Sequence, residues 1–128
     1  MANFLDYSVW DSGHSALTAK NGGIINAPVL TALNQVDVTV DTPGALQIDR
    51  WVNWTHGVAN FSGSDYVLTA LANAAGTTLN ATSGSISLPN LTTIVGGALS
   101  LSGGATAIVP KLINIDGASV LVGGGVTL

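Results

Sequence analysis

The chain has 128 residues, of which only 8% are charged, and its formal net charge is −4. Its three Lys and Arg residues lie far apart. Nucleic-acid binding needs clustered cations to release counterions from phosphates, so we expect no nucleic-acid partner. The lack of cysteine excludes disulfides, thiolate metal sites and a cysteine nucleophile. No stretch reaches the roughly 18 apolar residues of a membrane span, so we expect no membrane insertion.

The first segment, residues 1–16, differs from the rest of the chain. It combines Phe4, Tyr7 and Trp10 with Asp6 and Asp11. It has neither the basic region nor the long apolar run of a signal peptide. Stacked repeat proteins need an atypical end repeat to cover their core. We therefore predict an N-terminal cap or lead-in over residues 1–16.

From residue 17 onward, a short pattern returns at intervals of 20 or 21 residues. Each copy alternates apolar with small polar residues and ends on glycine, as in the run from Leu99 to Gly104. Repeats of this length indicate a solenoid, because one repeat cannot bury its apolar face without a neighbour. The runs open at Leu17, Val38, Val58, Leu79, Leu99 and Val120.

Each well-preserved copy continues through a short strand, a proline and a Leu-x-x-Leu/Ile segment, as in residues 86–94 and 107–115. The period-2 alternation predicts that Leu99 and Leu101 point inward and that Ser100 and Ser102 face water. Like residues should then form inward columns. These columns are Ala19, Val40, Ala81, Leu101 and Val122; Leu30, Trp51, Leu91 and Leu112; and Leu33, Trp54, Ile94 and Ile115.

These patterns predict an all-β fold, a right-handed parallel β-helix of about six coils over residues 17–128. The open alternative is a β-sandwich, although a sandwich gives no reason for six cycles in one register. We expect the C-terminal end to be uncapped, which would expose strand edges that can pair with another chain. Such an end indicates either a longer parent protein or self-association through this coil.

The second and third copies depart from the pattern. Trp51 and Trp54 take the Leu-x-x-Leu positions, Asp49 replaces the proline, and Asn60 falls where an apolar residue is expected. Aromatic and charged residues are concentrated in this part of the chain. They are Asp37, Asp41, Asp49, Arg50, Trp51, Trp54, His56, Asp65 and Tyr66.

This group has three interpretations. Aromatic faces beside carboxylates suit carbohydrate, and the candidate ligand-binding residues are Asp49, Arg50, Trp51, Trp54, Asp65 and Tyr66. Paired aspartates would also suit acid–base chemistry or calcium binding. In the structural interpretation, the tryptophans fill a wider section of the solenoid and the aspartates end strands or cap turns. No spacing typical of a metal site or a catalytic triad occurs, so we predict no catalytic residue, metal or cofactor.

The segment from Leu88 to Ile94, with the Gly-Gly-Ala-Leu-Ser-Leu-Ser-Gly-Gly that follows Val95, resembles the β-helical regions of large secreted bacterial surface proteins. More distantly, it is similar to the L-domain repeats of cell-wall and receptor ectodomains. The resemblance covers roughly residues 17–128 and carries over no catalytic residues. It implies an extracellular or cell-surface stalk, adhesin segment or matrix component.

We therefore expect a non-enzymatic structural or adhesive module, with a glycan or another cell-surface component as its partner. The alternatives are a carbohydrate-binding module that uses the aromatic and Asp patch, and a fibre subunit that assembles end to end. A polysaccharide lyase or hydrolase rests on fold analogy alone. Ice binding is a further alternative, for which Thr39, Thr82 and Ser102 supply only a partial column.

Overall fold

A computed structural model describes residues 2–5, 14–41 and 45–123, and every regular element in these ranges is a β-strand. No helix that could cross a membrane is found within these ranges. The strands are β1 (Ala2–Leu5), β2 (Ser15–Ala19), β3 (Ile24–Ile25), β4 (Leu30–Asn34), β5 (Val36–Val40), β6 (Ala45–Leu46), β7 (Asn53–Thr55), β8 (Val58–Phe61), β9 (Tyr66–Val67), β10 (Thr78–Ala81), β11 (Ser85–Ser87), β12 (Ala98–Leu101), β13 (Thr106–Ile108) and β14 (Ser119–Val122).

The strands stack into three parallel arrays. The first is a six-stranded sheet with the order β14-β12-β10-β8-β5-β2. The second consists of the pair β3-β6 and the sheet β13-β11-β9. The third is the sheet β1-β4-β7, continued by isolated bridges that join Asn53, Asn73, Thr93 and Asn114 in turn. The chain is therefore a parallel β-solenoid of about five turns, which confirms the predicted fold class.

We number the coils from the six-stranded sheet: coil 1 is 16–36, coil 2 is 37–57, coil 3 is 58–77, coil 4 is 78–97 and coil 5 is 98–118, followed by β14. In coils 4 and 5, Leu79 pairs with Leu99 and Ala81 with Leu101, and all four are buried. Ser100 lies between them on the outer face and is only half-buried. The predicted inward and outward facing is therefore confirmed in these coils.

The register of coil 3 differs from the prediction by one residue. The sequence pattern places Val58 opposite Leu79, but the residue that pairs with Leu79 is Ala59, and Phe61 pairs with Ala81. Ala59 and Phe61 are buried, whereas Asn60 is exposed. The prediction of a polar interruption at Asn60 is therefore wrong. A shift of one residue reverses which side chains of a strand face inward. Because Ala59 is small, the sequence pattern did not mark it as an inward-facing position.

Both ends of the solenoid are described only in part. At the N-terminal end, β1 pairs in parallel with β4, with a register shift between Ala2 and Asn3. Residues 1 and 6–13 of the predicted cap lie outside the described residues, so the boundary between cap and solenoid stays a prediction. Residues 124–128 at the predicted uncapped end also lie outside the described residues.

Candidate functional site

Trp51 and Trp54, the two central candidates for sugar binding, lie in the core and are each 0% exposed. Their rings pack edge to face, with centroids 5.3 Å apart and an interplanar angle of 81°. The Trp54 Nε1 donates a hydrogen bond of 3.0 Å to the carbonyl of Val36. Neither indole offers a free face for a sugar in this structure. The burial therefore favours the structural interpretation of both tryptophans.

The two tryptophans belong to a larger aromatic layer, which we define as Trp51, Trp54, Phe61 and Tyr66. Trp54 contacts Phe61 edge to face at 6.4 Å, and Phe61 stacks on Tyr66 at 4.9 Å with an interplanar angle of 28°. The layer runs from the end of coil 2 into coil 3. Sequence analysis missed Phe61, because the misplaced register put it on the outer face.

Small residues make room for the aromatic layer. In the inward columns, Ala74 follows Trp54 and Ala81 follows Phe61, and both alanines are buried. Gly57 fits closely beside Trp54, because a Cβ atom at this position would overlap the Trp54 Nε1 and the Val36 carbonyl oxygen. Protein cores tolerate bulky residues where neighbouring volume is reduced to match.

Tyr66 contributes its ring to the core and its hydroxyl to the backbone. It pairs with Ile86 in the second array, and its side chain is partly buried. The hydroxyl donates to the carbonyl of Ser62 at 2.6 Å and lies 3.4 Å from that of Val40. A buried tyrosine usually satisfies its hydroxyl in this way. Tyr66 therefore has a clear structural role.

The three charged candidates, Asp49, Arg50 and Asp65, are exposed. Asp65 Oδ1 accepts a 2.8 Å hydrogen bond from the backbone N–H of Ser85 in the next coil. Within residues 14–41 and 45–123, no ion pair joins any of the three to another side chain. The six candidates therefore do not share one exposed surface. Ligand binding by the exposed residues stays a prediction.

The other acidic candidates also contact neighbouring coils. Asp37 Oδ1 lies 2.6 Å from His14 Nδ1 and accepts the backbone N–H of Val58 at 3.0 Å. Asp41 Oδ1 accepts the N–H of Asn21 at 3.3 Å. These bonds satisfy backbone donors of other coils, so both aspartates help to tie the coils together.

His56 occupies a turn rather than a cluster of titratable groups. Its side chain is exposed, and its backbone has a φ of 56°. The described part of the chain contains no group of three or more His and acidic side chains that could hold a metal ion. The predicted turn at this histidine is therefore what the structure shows.

Thr77 is a buried polar residue that sequence analysis did not single out. Its Oγ1 donates to the carbonyl of Trp54 at 2.7 Å and accepts the N–H of Gly57 at 3.3 Å. It thus links coil 3 to the backbone of coil 2 at Trp54 and Gly57. Other threonines lie close to Thr77 in the sequence, so no local pattern indicates that Thr77 is the buried threonine.

Comparisons with family models, with curated proteins and with solved structures found no match to this chain. The candidate site consists of a buried aromatic layer and a set of polar side chains that hydrogen-bond between coils.

Proposed function

We propose that this chain is a non-enzymatic structural or adhesive module, a β-solenoid segment of an extracellular or cell-surface protein. The supporting observation is that polar side chains that could serve a binding or catalytic site instead form hydrogen bonds with the backbone of neighbouring coils. Asp65 accepts the N–H of Ser85, Asp37 accepts that of Val58, and Thr77 bridges Trp54 and Gly57. Each of these bonds spans about one coil of sequence, so each strengthens the stack.

The arrangement also differs from what acid–base catalysis requires. A general acid or base must reach a bound substrate within a concave site. Asp49 and Asp65 are instead exposed, and the Asp65 carboxylate already accepts a hydrogen bond from the backbone of the next coil. The aromatic rings nearby face the core, so they supply no walls for such a site.

A stacked solenoid suits a spacer or stalk. Its length grows by about 4.8 Å with each coil, because neighbouring strands keep the spacing of a β-sheet. Each coil contacts only its neighbours, so coils can be added without changing the core design. The extracellular or cell-surface setting is supported by the resemblance of residues 17–128 to surface-protein repeats and by the low charge content.

Polysaccharide turnover tests the non-enzymatic part of the proposal. The purified chain is incubated with acidic and neutral polysaccharides, with and without calcium, and new sugar ends are measured. We expect no product. Product formation that is lost in Asp49→Asn or Asp65→Asn, but kept in the distant Asp116→Asn, would contradict the proposal.

A glycan array tests the adhesive part and the role of the exposed charges. If the module adheres through Asp49 and Arg50, Arg50→Ala should abolish binding, whereas Lys111→Ala should leave it unchanged. Trp54→Phe keeps a buried ring and should not affect binding in a folded protein. A loss of binding in folded Trp54→Phe would restore the aromatic patch as a binding site.

A further inference from the structure

Residues 20–23 form an exposed turn between β2 and β3. Asn21 and Gly22 occupy its central positions with φ values of 52° and 82°, and the Gly23 N–H donates to the Lys20 carbonyl at 2.8 Å. Positive φ at both central positions is characteristic of the type I′ turn, for which Asn-Gly is a preferred pair. Asn21 is also the one asparagine of the chain that precedes glycine. An exposed amide side chain therefore stands directly before the backbone nitrogen of a residue without a Cβ atom.

This pair has a chemistry of its own, because asparagine is thermolabile where the backbone nitrogen that follows it can reach its side chain. The Gly22 nitrogen bonds to the Asn21 Cγ, the bond from Cγ to Nδ2 breaks, and ammonia leaves with the proton that the Gly22 nitrogen gives up. Water then opens the resulting cyclic imide at either of its carbonyls. The products are aspartate and isoaspartate, and in isoaspartate the main chain continues through Cγ.

The turn leaves room for this attack. A Cβ atom at Gly22 would meet no atom within 4 Å, and Asn21 and Gly22 are both exposed. Among the described residues, neither the Asn21 side-chain amide nor the Gly22 N–H has a hydrogen-bond partner. Other asparagine side chains are held by such bonds. They are Asn34, Asn60, Asn73, Asn80, Asn90 and Asn114.

Ring closure needs a backbone rotation at Asn21, because a type I′ turn holds ψ away from the value that the imide requires. Two hydrogen bonds of the described residues oppose this rotation. They are the bond from Gly23 to Lys20 and a 3.3 Å bond from the Asn21 N–H to Asp41 Oδ1. Exposed turns with few such bonds open at a small fraction of the free energy that unfolds the core. The folded protein therefore reaches the reactive geometry without losing its stacked coils.

We propose that Asn21 is a self-modification site, where the chain deamidates through Gly22 and the isoaspartate product separates β3 from β6. β3 follows the turn after Gly23, and Ile24 and Ile25 pair it with β6. Isoaspartate lengthens the main chain inside the turn by one atom, which breaks the closure that starts β3 in register. A pairing this short has few bonds with which to resist the change. The inference concerns coil 1 and does not rest on the proposed function.

Both products also add a negative charge beside Asp41. Asp41 Oδ1 lies 3.3 Å from the Asn21 nitrogen, so a new carboxylate on residue 21 comes close to an existing one. Like charges at short range repel, although salt screens exposed pairs. This repulsion acts between coils 1 and 2 and so adds to the effect of the lengthened turn.

Peptide mapping of the aged chain tests the site. The full chain is kept in mildly alkaline buffer, and aspartate and isoaspartate are measured at every asparagine over several weeks. Asn21 should convert about tenfold faster than the exposed Asn26 and Asn53, because the residues that follow those two carry a Cβ atom. The matched control Asn21→Gly keeps a Gly-Gly turn and should form no isoaspartate at position 21. Asp116 also precedes glycine and can form the same imide by losing water, so the products are assigned residue by residue.

Two results of the mapping would overturn the proposal. One is equal conversion of Asn21, Asn26 and Asn53. The other is conversion of Asn21 in urea but not in the folded chain, because the turn would then open only on global unfolding.

Hydrogen exchange tests the structural consequence. After ageing, the amides of β3 and β6 should lose most of their protection, whereas those of β10 and β12 should exchange as in fresh protein. Aged Asn21→Gly should match its own fresh sample in all four strands. Unchanged protection of β3 in a fully converted sample would contradict its separation from β6.

Discussion

Two regions of this solenoid build the same cross-section from different side chains. In coil 4, Leu91 and Ile94 occupy two inward columns, and both are 1% exposed. In coil 2, the corresponding positions are Trp51 and Trp54. The larger indoles are accommodated by glycine and alanine at neighbouring positions. The strand register therefore sets which positions face inward, and the neighbouring residues adjust the volume.

Coils 1 and 2 also differ from coils 3 to 5 at the turn that precedes the six-stranded sheet. Coils 3, 4 and 5 place Gly76, Gly96 and Gly117 there, with φ values between 64° and 68°. Coils 1 and 2 place Gln35 and His56 there, with φ values of 54° and 56°. The backbone conformation is kept even though a side chain in this region costs roughly 1–2 kcal/mol. The stacking of coils thus outweighs the preference of Gln35 and His56 for a negative φ.

The largest effect should come from placing a charge in the inward column that contains Phe61 of coil 3 and Leu101 of coil 5. Phe61→Asp and Leu101→Asp each bury an unpaired carboxylate, and each should lower the free energy of unfolding by about 4 kcal/mol or more. Their outward neighbours Asn60→Asp and Ser100→Asp should stay within about 0.5 kcal/mol of wild type. Urea denaturation measures all four. Equal losses for Asn60→Asp and Phe61→Asp would disprove the inward position of Phe61.

A smaller effect should separate close packing from backbone conformation. Gly57→Ala inserts a methyl group against Trp54 and the backbone of Val36, and should cost about 3 kcal/mol as an overpacked core. Gly104→Ala meets no atom within 4 Å but has a φ of 79°, so it should cost about 1 kcal/mol through strain alone. Thermal melting of both variants checks the order. A tolerated Gly57→Ala would show that the aromatic layer is loosely packed.

The smallest effect concerns the turn position that distinguishes coils 1 and 2 from coils 3 to 5. His56→Gly relieves a non-glycine residue of its positive φ and should raise the free energy of unfolding by about 0.5–1 kcal/mol. Gly96→Ala, with open space around the added methyl, should lower it by about 1 kcal/mol. If His56→Gly destabilises the protein, then the imidazole makes a stabilising contact that outweighs the strain.

The repeat period was enough to predict most of the fold. A spacing of 20–21 residues, with apolar residues at alternate positions, was sufficient to predict a parallel solenoid and the facing of Leu99 and Leu101. Which residues of coil 3 face inward could not be predicted in the same way. Val58, Ala59, Asn60 and Phe61 allow two alternating patterns, and only pairing with the neighbouring coils decides between them.

The candidate site was harder to predict because burial depends on residues far apart in sequence. A tryptophan next to Asp49 and Arg50 suits either a binding surface or a core. The deciding information is the reduced volume at Gly57 and Ala74, which come close only when the coils stack. Likewise, the hydrogen bonds of Asp65 and Thr77 reach into adjoining coils.

The register between coils 3 and 4 tests the account most directly, because the aromatic layer, the columns and the coil-to-coil hydrogen bonds all depend on it. Asn80 Nδ2 donates to Asn60 Oδ1 at 3.1 Å, and neighbouring parallel strands lie about 4.8 Å apart, within disulfide range. The double variant Asn60→Cys/Asn80→Cys should therefore form an intramolecular disulfide under mild oxidation and melt no lower than wild type. If Ala59→Cys/Asn80→Cys forms the bond instead, coil 3 is shifted by one residue and the account is wrong.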